Sequence, residues 1–187
     1  MLTIIMPATD LQKAQVMMDE VEALFPGCQI IVSSNRQGLG KGFAVREAMK
    51  QATGEFICFL DGDGDIAPRM IKRLIPYLFD YDIVVGVKPI SGLWSRRIIT
   101  YWSRLYIALL FGMKVNSQTG IKLFRRHAIT EWYSNGWLFD LEILSLAKQQ
   151  GCTMIEVPID AEVNKGMKFI SLWKTLKESW TLFLELR

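Results

Sequence analysis

The sequence predicts an α/β fold: a mostly parallel sheet with helices on both faces, supplemented by amphipathic surface helices. Three observations predict it. Short apolar runs rich in Ile and Val alternate with longer helical patterns through the first half of the chain. Breaks containing Pro and Gly separate the two kinds of segment. An acidic turn, Asp61-Gly62-Asp63-Gly64-Asp65, follows the third apolar run at once, where open α/β sheets place their ligands.

In chain order, Leu2–Met6 reads as a buried strand, and Asp10 as a possible cap for an amphipathic helix running to Phe25. Pro26-Gly27 stops that helix, and Gln29–Ser33 is a second strand. A glycine loop, Gly38-Leu39-Gly40-Lys41-Gly42, opens a helix to about Ala52. Glu55–Leu60 is the third strand, and Pro68 suits the first turn of a helix reaching Phe79. Asp82–Val85 is the fourth strand. From Leu93 to Met113 a helix carries Trp94, Ile98, Trp102 and Leu105 on one stripe, with Arg96, Arg97 and Arg104 opposite. Ile121–Phe124 reads as a strand, Asp140–Gln150 as a helix and Thr153–Val157 as a last strand ending at Pro158. From Phe169 onward Leu172, Trp173, Leu176, Trp180 and Phe183 recur at helical spacing. The expected organisation is one domain over residues 1–168. The C-terminal amphipathic helix, 169–187, either belongs to it or faces a membrane.

A chain of 187 residues is long enough to bury a real core. With 22 Lys and Arg against 19 Asp and Glu, the net charge of +3 is too mild to argue for a nucleic-acid partner. Cys28, Cys58 and Cys152 stand far apart in apolar segments and read as reduced core thiols of a cytoplasmic protein. No basic region precedes Leu2 and no cleavage site follows, which argues against a signal peptide. The longest apolar stretch, Leu105 to Phe111, is far short of the roughly 20 residues a spanning helix needs. His127, the only histidine, has no partner at ligand spacing and is expected to be a surface or packing residue.

The acidic turn is the most informative motif. Alternate carboxylates spaced by glycines can turn several oxygens toward one hard cation, Mg2+ or Mn2+. A solvated acidic turn and a calcium loop are the alternatives, but the run continues Ile66-Ala67-Pro68 without the glutamate a calcium loop wants. Carboxylates so crowded repel unless a cation joins them, which favours the metal. The glycine loop is not a Walker loop, because Gly42 follows Lys41. It is either a turn capping a helix or a phosphate contact.

Taken in order, Pro7, Gly40-Lys41-Gly42-Phe43-Ala44, Gly54 and Asp61-Gly62-Asp63-Gly64 resemble glycosyltransferase family 2, with its GT-A fold. Val85-Gly86-Val87-Lys88, Gln118-Thr119-Gly120-Ile121-Lys122-Leu123-Phe124, Phe139-Asp140-Leu141-Glu142 and Glu156-Val157-Pro158 continue the series. The set is most similar to the branch making polyprenyl-phosphate sugars, the dolichyl-phosphate mannose and glucose synthases. The resemblance runs from the first strand to beyond Pro158.

It implies a nucleotide-sugar donor, UDP- or GDP-linked, and a polyprenyl phosphate acceptor. Pro7, Ala8, Asp10, Gly40, Lys41, Asp61 and Gly62 would contact the donor, and Asp61, Asp63 and Asp65 would hold the metal. Lys88 matches a basic position that meets phosphate. Gln118, Gly120 and Lys122 would line the donor and acceptor site, with Asp140 and Glu142 near the acceptor; for Asp140 a helix N-cap is the rival role. Lys122, Arg125 or Arg126 would help Lys88 orient the acceptor phosphate. The family implies a single displacement with inversion. Two departures stand out: Ser33-Ser34-Asn35-Arg36 leads almost at once into the glycine loop, and Asn116 replaces a usual aspartate. These leave the base open, and keep two alternatives: transfer to a non-lipid glycan, or a nucleotide-sugar-binding pseudo-enzyme. A sugar nucleotidyltransferase is disfavoured, because Met6-Pro7-Ala8-Thr9-Asp10 is neither glycine-rich nor basic.

A lipid acceptor fits Trp94, Trp102, Trp173 and Trp180 at a headgroup region, with Arg96, Arg97, Lys174 and Lys177 near anionic lipids. The expected location is peripheral, at the cytoplasmic face of a membrane. Packing of these stripes on the core or on another subunit of an oligomer is the alternative.

Overall fold

The computed structural model describes residues 1–34, 38–88, 94–113, 119–160 and 178–186, with the side chains of 95–100 excepted. Among them are six strands: β1 (Leu2–Pro7), β2 (Gln29–Ser33), β3 (Phe56–Leu60), β4 (Ile83–Val87), β5 (Ile121–Arg125) and β6 (Met154–Pro158). They form one sheet in the order β2-β1-β3-β5-β4-β6. β1 runs parallel to β2 and β3, and β4 parallel to β6. Only β5, between β3 and β4, is antiparallel to its neighbours, so the expected parallel sheet carries one reversed strand.

Period-two alternation sorts the strand residues between the faces. Ile4, Met6, Cys58, Leu60, Val84 and Leu123 meet α1 (Leu11–Leu24) and α3 (Met70–Leu74) in one buried cluster. On the other face Phe59 packs on Phe124 and on Phe139 of α5 (Phe139–Gln149). α2 (Lys41–Met49) joins that layer through Val45 and Ala48. α1 starts where expected because the Asp10 carboxylate accepts from the amides of Gln12 and Lys13. The helix expected to run from Pro68 to Phe79 is divided. Pro68 lies in the turn before α3, and α3 gives way to a 3-10 turn at Ile75–Phe79, because Pro76 has no N–H to continue the ladder. Of the expected core thiols only Cys58 is fully buried; Cys28 and Cys152, in the turns before β2 and β6, are half-buried, and all three are free.

The chain divides into two compact units, one of Met1–Pro89 and Val115–Glu162, the other of Ile90–Lys114 and Val163–Arg187. In the second, α4 (Trp94–Phe111) meets a helical segment at 178–185. The Phe111 and Phe183 rings meet edge-on at 5.8 Å, and Ser179 Oγ donates to Tyr106 Oη at 3.3 Å. Trp94, Tyr101, Trp102 and Leu109 remain exposed on α4. Most of the helix expected from Phe169, with Trp173, Lys174 and Lys177, lies outside the described residues. No helix among them is long and apolar enough to cross a membrane.

Gly54 shows how tightly the sheet end is built. Its N–H donates to the fully buried Thr3 Oγ1 at 2.9 Å, and that hydroxyl donates to Gln29 Oε1 at 2.8 Å. A Cβ on Gly54 would lie 2.7 Å from Thr3 N and 2.8 Å from Met1 O. Gly54→Ala is expected to destabilise the chain by about 1–3 kcal/mol in urea unfolding. An unchanged midpoint would show that β1 yields without cost.

Candidate active site

A cavity of about 200 Å3 opens at the C-terminal ends of β1 and β3. Pro7, Ala8, Thr9 and Ser33 line one part of it, and Gly40, Lys41, Ala44, Asp61, Asp63 and Trp137 the rest. Such strand-end crevices are where open α/β sheets hold ligands.

Lys41, the first residue of α2, bridges the pocket to Asp61 with Nζ–Oδ1 at 2.5 Å. Its ammonium lies 5.4 Å from the Trp137 ring centre and 5.7 Å from that of Phe139. Burial alone would lower its pKa, but the carboxylates of Asp61, Asp140 and Asp63 outweigh burial and raise it, so Lys41 is cationic at neutral pH. Burial raises the Asp61 carboxyl above its ordinary range, against the pull of Lys41.

The acidic turn is anchored by backbone. Asp61 N donates to Gly120 O at 2.8 Å, and Gly62 N to Pro7 O at 3.0 Å. Asp63 Oδ1 accepts from Asp65 N at 3.1 Å, and Asp65 turns toward Lys88, Oδ2 to Nζ 3.8 Å. Among the described residues Asp61, Asp63 and Asp65 do not bring three ligand atoms within 4.8 Å of one another. Asp61 and Asp63 nevertheless face one cavity. Two carboxylates beside open space suit Mg2+ or Mn2+, which complete their shells with water and substrate phosphate, so the donor set fits a divalent ion.

A second charged pair lies behind the first. Lys122 of β5, 1% exposed, donates to Asp140 Oδ2 at 2.9 Å and Thr119 O at 2.7 Å. Asp140 lies in the first turn of α5 rather than at its cap, which is Leu138. Its carboxylate serves Lys122 instead of the helix amides, which answers the N-cap rival.

Glu142, 2% exposed, accepts from the amides of Tyr133 and Ser134, each at 2.8 Å. Arg46 of α2 holds the same loop by donating to Trp132 O, Tyr133 O and Asn135 Oδ1. Gly42 N and Phe43 N donate to Gly136 O and Asn135 O. A Cβ on Gly42 would stand 2.3 Å from Ser134 O, so only glycine admits the loop. The loop carries Trp137, 74% exposed, to the pocket wall.

The structure thus gathers Pro7, Ala8, Gly40, Lys41, Asp61 and Asp63 around one cavity, with Gly62 and Gly120 fixing the turn and Lys88 beside Asp65. Asp10 is engaged as the α1 cap. Gln118 lies outside the described residues. Arg125 and Arg126 sit at the far end of β5, donating to Leu78 O and to Gly54 O and Ala52 O. Sequence reasoning missed Trp137 and Ser33, whose buried Oγ has no hydrogen-bond partner among the described residues. The signal available for Trp137 was its place two residues before the Phe139-Asp140 motif.

Comparison with known proteins agrees with this architecture. A family model described as Glycosyl transferase family 2 matches residues 13–175. The chain is similar to a dolichyl-phosphate beta-glucosyltransferase of Drosophila melanogaster, 29% identical over 164 residues, covering 78% of this chain and 50% of the relative. It is also similar to the Saccharomyces cerevisiae protein of that name, 27% identical, covering 71% and 47%. The chain therefore spans about half the length of these curated relatives. Among solved structures, Mycobacterium tuberculosis glucosyl-3-phosphoglycerate synthase in complex with Mn2+, UDP-glucose and phosphoglyceric acid superposes with a TM-score of 0.76. Identity is 15%, over 98% of this chain and 78% of that one, a likeness of GT-A fold.

The Lys122–Asp140 pair gives a stability test. Lys122→Met leaves the largely buried Asp140 carboxylate without its hydrogen-bonded lysine and is expected to cost about 3 kcal/mol. Lys122→Met combined with Asp140→Leu should recover much of that loss in the same denaturant titration. A double variant as unstable as the single would show that the ion pair is not the relevant interaction.

Proposed function

Because this chain belongs to glycosyl transferase family 2, we propose that it transfers a hexose from a nucleoside diphosphate sugar to a polyprenyl phosphate. The observation that carries the reading is the strand-end cavity in which Lys41, Asp61 and Asp63 converge. The names of the two glucosyltransferase relatives make glucose the first donor sugar to test, and dolichyl phosphate the acceptor chemistry.

In this reading the nucleoside end of the donor lies against Pro7, Ala8 and Thr9, and the Ser33 hydroxyl, unpaired among the described residues, supplies a hydrogen bond to it. Asp61 and Asp63, with Asp65 on the same turn, would hold Mg2+ or Mn2+, which offsets charge on the leaving diphosphate. Lys41 donates to diphosphate oxygens from the positive N-terminal end of α2. Asp140, fixed by Lys122, supports the charged state of Lys41. The acceptor needs no strong base, since a lipid phosphate is already anionic at neutral pH. Lys88 orients that phosphate for in-line attack, giving inversion at the anomeric carbon.

The exposed aromatic side chains of the second unit, Trp94, Tyr101, Trp102 and Trp180, would seat this unit in the headgroup layer of a cytoplasmic membrane face. Flotation with anionic liposomes is the expected result, and a protein left wholly at the bottom of the gradient would count against peripheral attachment.

The activity test is divalent-metal-dependent transfer of radiolabelled sugar from a panel of UDP- and GDP-sugars to a short polyprenyl phosphate. Label in the lipid phase, in a product of inverted configuration, is expected. Nucleotide-sugar binding without lipid labelling would move the acceptor elsewhere or make the chain a binder. Asp63→Asn should lower turnover at least ~100-fold. Its melting temperature should hold, because asparagine keeps the oxygen that accepts from Asp65 N; near-normal turnover would remove Asp63 from the site.

A further inference from the structure

The sheet has a second cluster of ligating side chains, at the end away from the cavity. Asp82 precedes β4, His127 follows β5, and Cys152 precedes β6. Because β5 is antiparallel to its neighbours, these three positions meet at one sheet end. One ligand atom from each lies within 4.8 Å of the other two, and among the described residues no other trio of His, Cys, Asp or Glu is gathered so closely. From this juxtaposition we propose that Asp82, His127 and Cys152 form a metal site for a thiophilic divalent cation, Zn2+ first.

The donor chemistry selects the ion. A thiolate and an imidazole beside a single carboxylate oxygen match Zn2+, whereas Mg2+ and Ca2+ want oxygens throughout. This separates the cluster from the oxygen-rich turn at Asp61 and Asp63. The carboxylate is already oriented as metal-binding carboxylates are, by hydrogen bonds to the oxygen that does not ligate. Thr153 N and Thr153 Oγ1 both donate to Asp82 Oδ2 at 2.8 Å, leaving Oδ1 toward His127 Nε2 at 3.0 Å.

Tetrahedral Zn2+ keeps its ligand atoms roughly 3.3–3.8 Å apart, so a trio already within 4.8 Å of one another needs only a small adjustment. His127 supplies that movement, since its side chain is 64% exposed and, among the described residues, its ring bonds only to Asp82. Binding forms Zn–O, Zn–N and Zn–S bonds, breaks the His127–Asp82 hydrogen bond, moves the imidazole proton from Nε2 to Nδ1 by exchange with solvent, and sends the Cys152 thiol proton to solvent. Solvent occupies the fourth position. The arms of the site come from the starts of β4 and β6 and the exit of β5, so the ion would clip three strands together.

The test is a Co2+ titration of the chelator-stripped whole chain, followed by displacement with Zn2+. A thiolate-to-cobalt charge-transfer band is expected, lost in Cys152→Ser and requiring at least about tenfold more Co2+ in His127→Gln. Asp63→Asn should keep the band, which separates this site from the one proposed for the donor. Zn2+ should raise the melting temperature of the parent chain and not that of His127→Gln, an exposed substitution that leaves the fold testable if Cys152→Ser does not express. The proposal is overturned if saturating Co2+ gives no thiolate band, or if the band survives in Cys152→Ser.

Discussion

The sheet end around β3 depends on keeping several carboxylates close together in a partly buried place. Two like charges 4 Å apart at an effective dielectric constant of 20 repel by about 4 kcal/mol, and Asp61, Asp63 and Asp140 share one neighbourhood around Lys41. The chain meets this repulsion with lysines brought in from two sides. Lys41 arrives at the start of α2 and takes Asp61, while Lys122 arrives from β5 and takes Asp140. The two ammonium groups differ in reach. Lys41 lines the open cavity, whereas Lys122 is 1% exposed and held by Thr119 O as well as Asp140. One is available to an incoming anion; the other is fixed as part of the wall.

The reversed strand is what makes the second lysine possible. β5 pairs with β3 so that Ile121 lies opposite Leu60 and Lys122 opposite Phe59. The beginning of β5 therefore meets the end of β3, and Gly120 O receives the Asp61 amide at 2.8 Å. A parallel strand at this position would bring its start to the opposite end of the sheet. The same reversal carries the exit of β5 to the far end, beside the starts of β4 and β6, and so separates Arg125 and Arg126 from the cavity. The two strands approach closely at Gly120, where a Cβ would lie 3.0 Å from Asp61 Oδ2.

Much of this was legible in the sequence because it is written in local terms. Strand periodicity, the Asp10 cap and the acidic turn each occupy a few consecutive residues, and all are found within a residue or two of where they were expected. What was not legible depends on partners far apart in the chain. The direction of β5 is set by pairing with β3 and β4, which no feature of Ile121–Arg125 announces. Lys122 looks like any strand lysine until Asp140, on a later helix, is seen to hold it. His127 has no ligand-spaced neighbour in sequence, yet Asp82, 45 positions away, meets it at 3.0 Å. The helix after Pro68 is shorter than its pattern predicts for a local reason instead: Pro76 has no N–H to carry the ladder on, and the segment tightens into a 3-10 turn.

Glycine and glutamate together explain why α2 and α5 act as one support. The loop at 132–137 has no regular structure of its own, and irregular backbone brought indoors must find partners for its amides. Glu142 accepts two of them from α5, and Arg46 on α2 covers two of the loop's carbonyls. Gly42 lets the loop approach so closely that its own N–H reaches Gly136 O. The position of Trp137 at the cavity is therefore set by residues that do not touch the cavity. Lys41 is tied to the same frame, since it begins the helix on which Arg46 lies and has the Trp137 and Phe139 rings beside its ammonium. A change at Glu142 or Arg46 thus acts on the pocket through the loop, while a change at Asp63 acts on the pocket directly.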